Sequence, residues 1–268
     1  MHIEKYKILI ILTLSAIFFS CEKIVDLDLN PNKPRNVIDA SITANQPCIV
    51  ILSQSQDFNN NNSYKYISGA VIELKDNLGN KEVLRESQNE AGVYFSLTRG
   101  VTNRTYTLRV SIDSEEYEST ATIPNAVPID SIYIYDLKIG DEHMYSPCVI
   151  FDDPEDEENY YYSIMHVNRK LMRSFYLDDD KHRNGVKGVE NILFFDKEDN
   201  GDEKLKAGDH IRVEMQTLDK GMYTFYETLS SVVEGTNPTT NIKGGALGCF
   251  KAYNSSIIEM TITEEDIP

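Results

Sequence analysis

Hydrophobic and polar residues alternate with a period of two along most of the chain, which is the pattern of half-buried β-strands. The clearest run covers residues 106–112, where Tyr, Leu, Val and Ile alternate with Thr, Arg and Ser. Similar runs cover residues 70–75, 93–97 and 117–123, and a fully apolar run covers residues 49–52. Short strands separated by Gly- and Asn-rich turns about every ten residues predict an antiparallel β-sandwich.

A rigid break follows at Pro124 and Pro128, which impose extended backbone on the residues before them and predict a domain boundary. Beyond it, residues 129–139, 160–167 and 211–217 alternate again. From Met222 to Val233, apolar residues instead recur at three- and four-residue spacing, and Gly235 follows as a natural helix stop. This spacing predicts an amphipathic helix whose apolar face lies on the sheet.

These patterns together predict a mainly β fold made of two antiparallel β-sandwich-like domains. The first is an Ig-like or transthyretin-like β-sandwich over residues 35–125. The second is a β-rich domain over residues 126–268, with one short amphipathic helix near residues 221–234.

The N-terminal segment has a different pattern, because Lys5 and Lys7 precede a mostly apolar run that stops at Ser20 and Cys21. The run is shorter than the roughly 20 apolar residues that span a bilayer, and its basic-then-apolar order is that of a secretory signal. A cysteine directly after a small residue predicts a lipoprotein signal over residues 1–20, cleaved so that Cys21 is the lipid attachment residue. The alternative is a plain signal peptide with an incidental cysteine. Residues 21–34, which include two prolines, are predicted to be a tether.

The charge of the chain limits the classes of partner. It carries 43 acidic residues against 26 lysines and arginines, a formal net charge of −17. Such acidity argues against a nucleic-acid partner, because nucleic-acid phosphates are bound by Lys and Arg. It also argues against broad electrostatic docking on anionic lipid. Attachment to a membrane is therefore expected to come from the acyl chains on Cys21.

Three further cysteines, Cys48, Cys148 and Cys249, lie in or beside strand-like runs. An odd number cannot all pair within one chain. Export permits one disulfide, and the sequence identifies no pair. Buried free thiols that behave as small apolar residues are the favoured interpretation.

One acidic segment resembles the first half of a calcium loop, with oxygen ligands offered by Asp196, Glu198, Asn200 and Asp202. Its twelfth position is Ala207, where such a loop requires a bidentate glutamate. An acidic turn between two strands is therefore favoured, with calcium as the weaker alternative, and no cofactor is expected.

No group of residues has the spacing of a known catalytic motif. The histidines lack metal-ligand spacing, and there is neither a GxSxG elbow nor a Gly-rich loop between a strand and a helix. The protein is therefore expected not to be an enzyme. The acid clusters at residues 152–158 and 178–180 suit a divalent cation, a basic partner or simple solvation, and solvation is favoured. The tyrosines at residues 133, 135 and 160–162 suit either a stacking surface or half-buried positions on strands, and half-buried positions are favoured.

Several weak motifs recur in an order that resembles a known family. They are Cys21-Glu-Lys-Ile-Val-Asp-Leu, Gly69-Ala-Val-Ile-Glu-Leu, Tyr106-Thr-Leu-Arg-Val, the junction Ala121-Thr-Ile-Pro124-x3-Pro128-Ile-Asp-Ser131, and the stretch from Asn241 to Tyr253. Together they resemble the Bacteroidota lipoprotein family catalogued as domain of unknown function 4249. The resemblance implies an outer-membrane lipoprotein, often encoded beside a TonB-dependent receptor, with no established catalytic residues.

The expected function is that of a non-enzymatic accessory or ligand-capturing partner of a TonB-dependent transporter, held at the outer membrane by lipid on Cys21. The face of the membrane, periplasmic or cell-surface, stays open. The alternative is a structural or adhesive cell-surface lipoprotein that binds glycan or protein. A surface hydrolase is the third interpretation, and no motif supports it.

Overall fold

The computed structural model describes residues 34–56, 65–140, 142–192 and 204–267. The strands before Pro124 are β1 Asn36–Thr43, β2 Pro47–Gln54, β3 Lys65–Tyr66, β4 Val71–Asp76, β5 Lys81–Val83, β6 Arg85–Glu86, β7 Val93–Arg99, β8 Thr105–Ile112 and β9 Glu115–Thr122. Those after it are β10 Ile129–Ile139, β11 Glu142–Asp152, β12 Tyr160–Val167, β13 Lys170–Asp179, β14 Lys187–Asn191, β15 His210–Leu218, β16 Ile242–Lys243 and β17 Leu247–Thr261. The α-helix α1 is Lys220–Glu227, and a 3-10 helix follows at Leu229–Glu234.

The first sandwich packs strands of a nine-stranded sheet against a five-stranded sheet. In the nine-stranded sheet, β17, β1, β2, β7 and β6 are neighbours in that order, and the five-stranded sheet has the order β16-β9-β8-β4-β5. Ile38 and Leu52 from one sheet pack with Ile72 and Leu108 from the other, and all four are buried. The alternation along each strand therefore places one apolar face in a shared core, where each Å² removed from water contributes about 25 cal/mol.

The second sandwich packs the other end of the nine-stranded sheet, β13-β12-β15-β17, against the three-stranded sheet β10-β11-β14. Val149 of β11, Met165 of β12 and Val213 of β15 are buried in one cluster between them. The outer face of β12 and β15 is thereby left for polar residues at alternate positions, and this face carries the site described below.

Strand β17 belongs to both sandwiches. Its residues Leu247–Tyr253 pair in parallel with β1, and its residues Tyr253–Thr261 pair antiparallel with β15. The parallel pairing is close, since a Cβ on Gly248 (φ 97°) would lie 2.1 Å from the carbonyl oxygen of Ile38. A glycine is therefore required at this point of contact.

The predicted mainly β, sandwich-like fold with one short helix is confirmed. The predicted boundary between residues 125 and 126 stays a prediction, although β16 and the first half of β17 come from beyond it and complete the sheets of the first sandwich. Residues 34–268 form one compact unit.

The helical segment predicted near residues 221–234 is present as two pieces. Asp219 caps the start of α1 by accepting a hydrogen bond from the Met222 backbone N–H at 3.0 Å. The α-helix ends at Thr228, whose hydroxyl donates to the Thr224 carbonyl at 2.7 Å, and the chain continues as the 3-10 helix. Gly235 then adopts a positive φ of 82°, which suits its predicted role as a stop. Neither helix is long and apolar enough to cross a membrane.

Candidate ligand-binding site

The site residues predicted from sequence lie outside the described residues. This applies to the lipid attachment residue Cys21 and to the four calcium candidates Asp196, Glu198, Asn200 and Asp202. Within residues 34–56, 65–140, 142–192 and 204–267, no group of three or more His, Cys, Asp or Glu side chains is arranged to hold a metal. Cys48, Cys148 and Cys249 are buried free thiols, as the sequence favoured.

The predicted acid clusters take part in local ion pairs and in a polar group inside the second sandwich. Asp178 pairs with Arg183, and the Tyr161 hydroxyl donates to the buried Asp153. The guanidinium carbon of Arg183 lies 5.6 Å from the ring centroids of both Tyr161 and Phe151, within reach of a cation–π interaction. These charges are therefore used to hold the sandwich together.

A second buried acid lies in the same interior. Glu190 of β14 is 1% exposed, and its Oε2 accepts a hydrogen bond from the Ser163 hydroxyl at 3.1 Å. Its Oε1 has no hydrogen-bond partner among the described residues. Burial raises the pKa of Glu190 to about 8, with the charge of Asp178 adding to the rise, while the Ser163 hydrogen bond and the Arg183 charge oppose it.

The tyrosines at residues 160–162 do not form an open stacking surface. Tyr161 points into the core, whereas Tyr160 and Tyr162 lie on the outer face and are covered by α1. Tyr223 stacks on Tyr160 with centroids 4.6 Å apart, and Tyr226 stacks on Tyr162 at 4.8 Å. Burial raises the pKa of Tyr162 to about 12. The helix therefore lies on the sheet, as its amphipathic pattern predicts.

Beyond the helix, the outer face of β12, β15 and β17 is open and forms a concavity of about 800 Å³. We call it the basic concavity. Its lining residues are His166, Asn168, Arg169, His210, Arg212 and Glu259. Two guanidiniums and two imidazoles thus surround one carboxylate, on a chain whose formal net charge is −17.

Strand register explains why these side chains meet. Arg212 of β15 lies opposite His166 of β12 on one side and opposite Glu259 of β17 on the other. His210 precedes Arg212 by two residues, so it lies on the same face of the sheet. Arg212 is therefore the centre of the basic concavity.

The turn between β12 and β13 closes one end of the basic concavity. Asn168 and Arg169 have φ of 50° and 70°, as a type I′ hairpin turn requires at both central residues. The Asn168 side chain fixes this turn to β15, because its Oδ1 accepts from the His210 backbone N–H at 2.9 Å and its Nδ2 donates to Asp209 at 2.9 Å. The exposed Arg169 side chain is thereby carried on a rigid support.

The contacts within the basic concavity are long. Arg212 Nε lies 3.5 Å from Glu259 Oε1, and Arg212 Nη1 and Nη2 each lie 3.4 Å from Glu214 Oε2. His210 Nε2 lies 3.8 Å from Glu259 Oε2. The Nδ1 atom of His166 is buried and has no hydrogen-bond partner among the described residues. That buried atom is out of reach of a ligand, but the exposed Arg169 guanidinium and the remaining N–H groups of Arg212 are donors for a ligand that offers acceptor oxygens.

Another cavity, of about 660 Å³, lies where β1 begins, but its polar groups bind one another. Arg35 donates from Nε to the Gly245 carbonyl at 3.2 Å, and the Asn36 side chain donates to Glu115 at 2.8 Å and to Tyr117 at 3.0 Å. This cavity offers fewer free donors than the basic concavity.

The basic concavity was missed in the sequence. His166 and His210 lie 44 positions apart, and their isolation along the chain favoured structural roles. The alternation of His210, Arg212 and Glu214 is visible as an outward face. No local sequence pattern indicates that β12 pairs with β15, which is the pairing that brings His166 beside Arg212.

No curated protein matches the chain. Among solved structures, it is similar to a two fibronectin type-III domain segment from chicken tenascin, with 11% identity, 85% of this chain and 100% of that chain covered, and a TM-score of 0.22. It is also similar to a DUF4785 family protein from Legionella pneumophila, with 11% identity, coverages of 69% and 52%, and a TM-score of 0.24. A third is trypsin-activated alpha-2-macroglobulin from Escherichia coli, with 9% identity, coverages of 70% and 15%, and a TM-score of 0.20. These scores are too low to support an inference about function.

The family model described as Domain of unknown function (DUF4249) matches residues 22–258. The match runs from before β1 into β17, so it takes in strands of both sandwiches. The resemblance noted from the sequence motifs is confirmed at the level of the family. This chain belongs to the DUF4249 family.

Proposed function

We propose that the protein is a lipoprotein of a Bacteroidota outer membrane, anchored through acylated Cys21, and that it captures a ligand for a TonB-dependent transporter without catalysing a reaction. The observation that carries the ligand-capturing role is the basic concavity. Its donor side chains project from β12, from β15 and from the hairpin turn after β12, whose backbones are held by the sheet, so little backbone entropy is lost when a ligand binds. The lipoprotein signal pattern at residues 1–21 supports the anchor.

The anchor is tested with Cys21→Ser. The net charge of −17 disfavours electrostatic attachment to anionic lipid, so the acyl chains are expected to supply the attachment. The variant is expected in the soluble fraction, while the wild-type protein fractionates with the outer membrane. A variant that stays membrane-bound after a high-salt wash would contradict the lipid anchor.

The partnership is tested by affinity purification from detergent-extracted outer membranes, followed by identification of the proteins that co-purify. A TonB-dependent receptor is expected among them, and deleting the gene for this protein is expected to slow uptake through that receptor. Unchanged uptake of every substrate of the co-purifying receptor would contradict the accessory role.

A structural or adhesive role is the second candidate, and one surface favours it. Tyr133 and Tyr135 on the outer face of the three-stranded sheet are 38% and 42% exposed, and Val189 on the same face is 56% exposed. Exposed tyrosines on an open sheet face suit stacking on a sugar or packing against a protein. Binding to a glycan array that is lost in Tyr133→Ala/Tyr135→Ala would support adhesion, and an array without signal would count against glycan binding.

A further inference from the structure

We propose that the basic concavity binds a small ligand through a carboxylate or phosphate group, with Arg212 as the central contact and Arg169 as the second. This inference rests on the proposed ligand-capturing function and names the chemistry of its ligand. Carboxylate and phosphate share the property that matters here, which is a planar or forked set of acceptor oxygens that a guanidinium binds in a bidentate way.

The position of Arg212 favours an anion over a cation. Its side chain lies between His166 and Glu259 across the strands, so a metal ion placed between the two histidines and the glutamate would meet the guanidinium charge. No group of three or more metal-ligating side chains is arranged around a common point in the part of the chain that the structure describes. The histidines are therefore better explained as neighbours that donate beside Arg212, and Glu259 as the carboxylate that faces its guanidinium.

Glu259 has a defined role in this arrangement. It lies 3.5 Å from Arg212 Nε and 3.8 Å from His210 Nε2, so its carboxylate faces both side chains. These separations are longer than a good charge-assisted hydrogen bond, and Glu214 is also 3.4 Å from the guanidinium. A guanidinium has five N–H donors. Nε faces Glu259 and one N–H of each Nη faces Glu214, so Arg212 keeps two N–H donors for ligand oxygens.

The same geometry predicts opposite effects for the two charges. Replacing Arg212 removes the bidentate donor and weakens binding of an anion. Replacing Glu259 with glutamine removes a negative charge that repels the anion and keeps the side-chain size, so binding becomes tighter. A cation site would respond to Glu259→Gln in the reverse direction.

The test is calorimetric titration of the full chain, purified in detergent, at constant ionic strength. The probes are inorganic phosphate, succinate and dihexanoyl-phosphatidylglycerol, which distinguish a free phosphate, a carboxylate and a lipid headgroup, and Ca²⁺ is the cation probe. At least one oxyanion probe is expected to bind saturably in the millimolar range or below. Arg212→Gln is expected to weaken it about tenfold or more, as loss of a charge-assisted contact does. Glu259→Gln is expected to tighten it several-fold.

Two further variants control the test. Arg109→Gln removes an outward arginine from the first sandwich, whose Nε lies 2.9 Å from Glu118 Oε2, and it is expected to leave binding unchanged. Arg169→Gln changes an exposed turn residue and not the sheet, so it tests the site even where Arg212→Gln fails to fold. Equal thermal midpoints for the wild-type protein and the variants show that the fold is retained.

The inference is overturned if no oxyanion probe binds, if Arg169→Gln and a folded Arg212→Gln leave binding unchanged, or if Glu259→Gln weakens it. The proposed function fails separately. Oxyanion binding without a co-purifying receptor would contradict the transporter partnership and leave the site intact. A co-purifying receptor without oxyanion binding would contradict only the ligand chemistry.

Discussion

Replacing Glu190 with glutamine tests whether the interior of the second sandwich holds a protonated carboxylic acid. Glu190 is 1% exposed, and Ser163 is its hydrogen-bond donor among the described residues. Taking a carboxylate out of water without full compensation favours the neutral form. The pKa of Glu190 is accordingly raised from 4.5 to about 8, chiefly by burial.

The sign of the pH dependence follows from proton binding. Between about pH 4.5 and pH 8 the folded protein keeps the Glu190 proton, whereas the unfolded chain has lost it. The folded state therefore binds more protons in this range, so the free energy of unfolding falls as the pH rises. Each pH unit changes it by about 1.4 kcal/mol for one proton. From pH 5 to pH 8, the wild-type protein should thus lose roughly 3–4 kcal/mol relative to Glu190→Gln.

Glutamine keeps the size of the side chain and cannot ionise. Any fixed cost of placing its amide in the interior is the same at both pH values and drops out of the comparison. The chain has no tryptophan, so urea unfolding is followed by far-UV circular dichroism and tyrosine fluorescence at pH 5, 6, 7 and 8. Glu90→Gln, which changes an exposed carboxylate, is the matched control.

The expected result is that the stability of Glu190→Gln rises relative to the wild-type protein as the pH increases, while Glu90→Gln runs parallel to it. A constant difference between Glu190→Gln and the wild-type protein from pH 5 to pH 8 would refute the reasoning. It would mean that the buried carboxylate is ionised in the folded state and is stabilised there by Arg183.

Three further predictions concern stability and access. Gly248→Ala should lower the free energy of unfolding by at least about 3 kcal/mol, because it adds a clash with β1 to the strain of a positive φ. The control Gly79→Ala, at φ 92° with open space around it, should lower it by only about 1 kcal/mol. Similar urea midpoints for the two variants would contradict the close parallel pairing. Asp219→Ala should cost about 1 kcal/mol through loss of the cap on Met222, measured in the same way, and Asp219→Asn should retain most of it. The buried thiols of Cys48, Cys148 and Cys249 should resist a maleimide in the native protein and react with it after unfolding. Rapid labelling of the native protein at these thiols would contradict their burial.

The secondary structure was predictable because its signals are local. Alternation with a period of two places successive side chains on opposite faces of a strand, and this identified residues 106–112, 160–167 and 211–217 as strands. In residues 106–112 and 211–217 the apolar face is the buried one. The spacing of apolar residues predicts the helix but not its division at Thr228. That division involves the hydrogen bond from the Thr228 hydroxyl to the Thr224 carbonyl, which depends on backbone geometry.

The candidate site was not predictable, because it depends on which strands become neighbours. Nothing in residues 160–167 specifies that they pair with β15, and nothing in residues 247–253 specifies a parallel partner more than two hundred positions earlier in the chain. The pairing that brings His166 and Glu259 to either side of Arg212 is decided by burial of whole apolar faces at once. The sequence by itself determined most of the strands, the outward polar positions of β8 and β15 and the acidic charge, but it did not indicate β13 or β14. The tertiary structure alone decided that the shared strand β17 joins two sandwiches and that two guanidiniums and two imidazoles line one concavity. The physical reason is that contacts between distant segments leave no periodic trace along the chain.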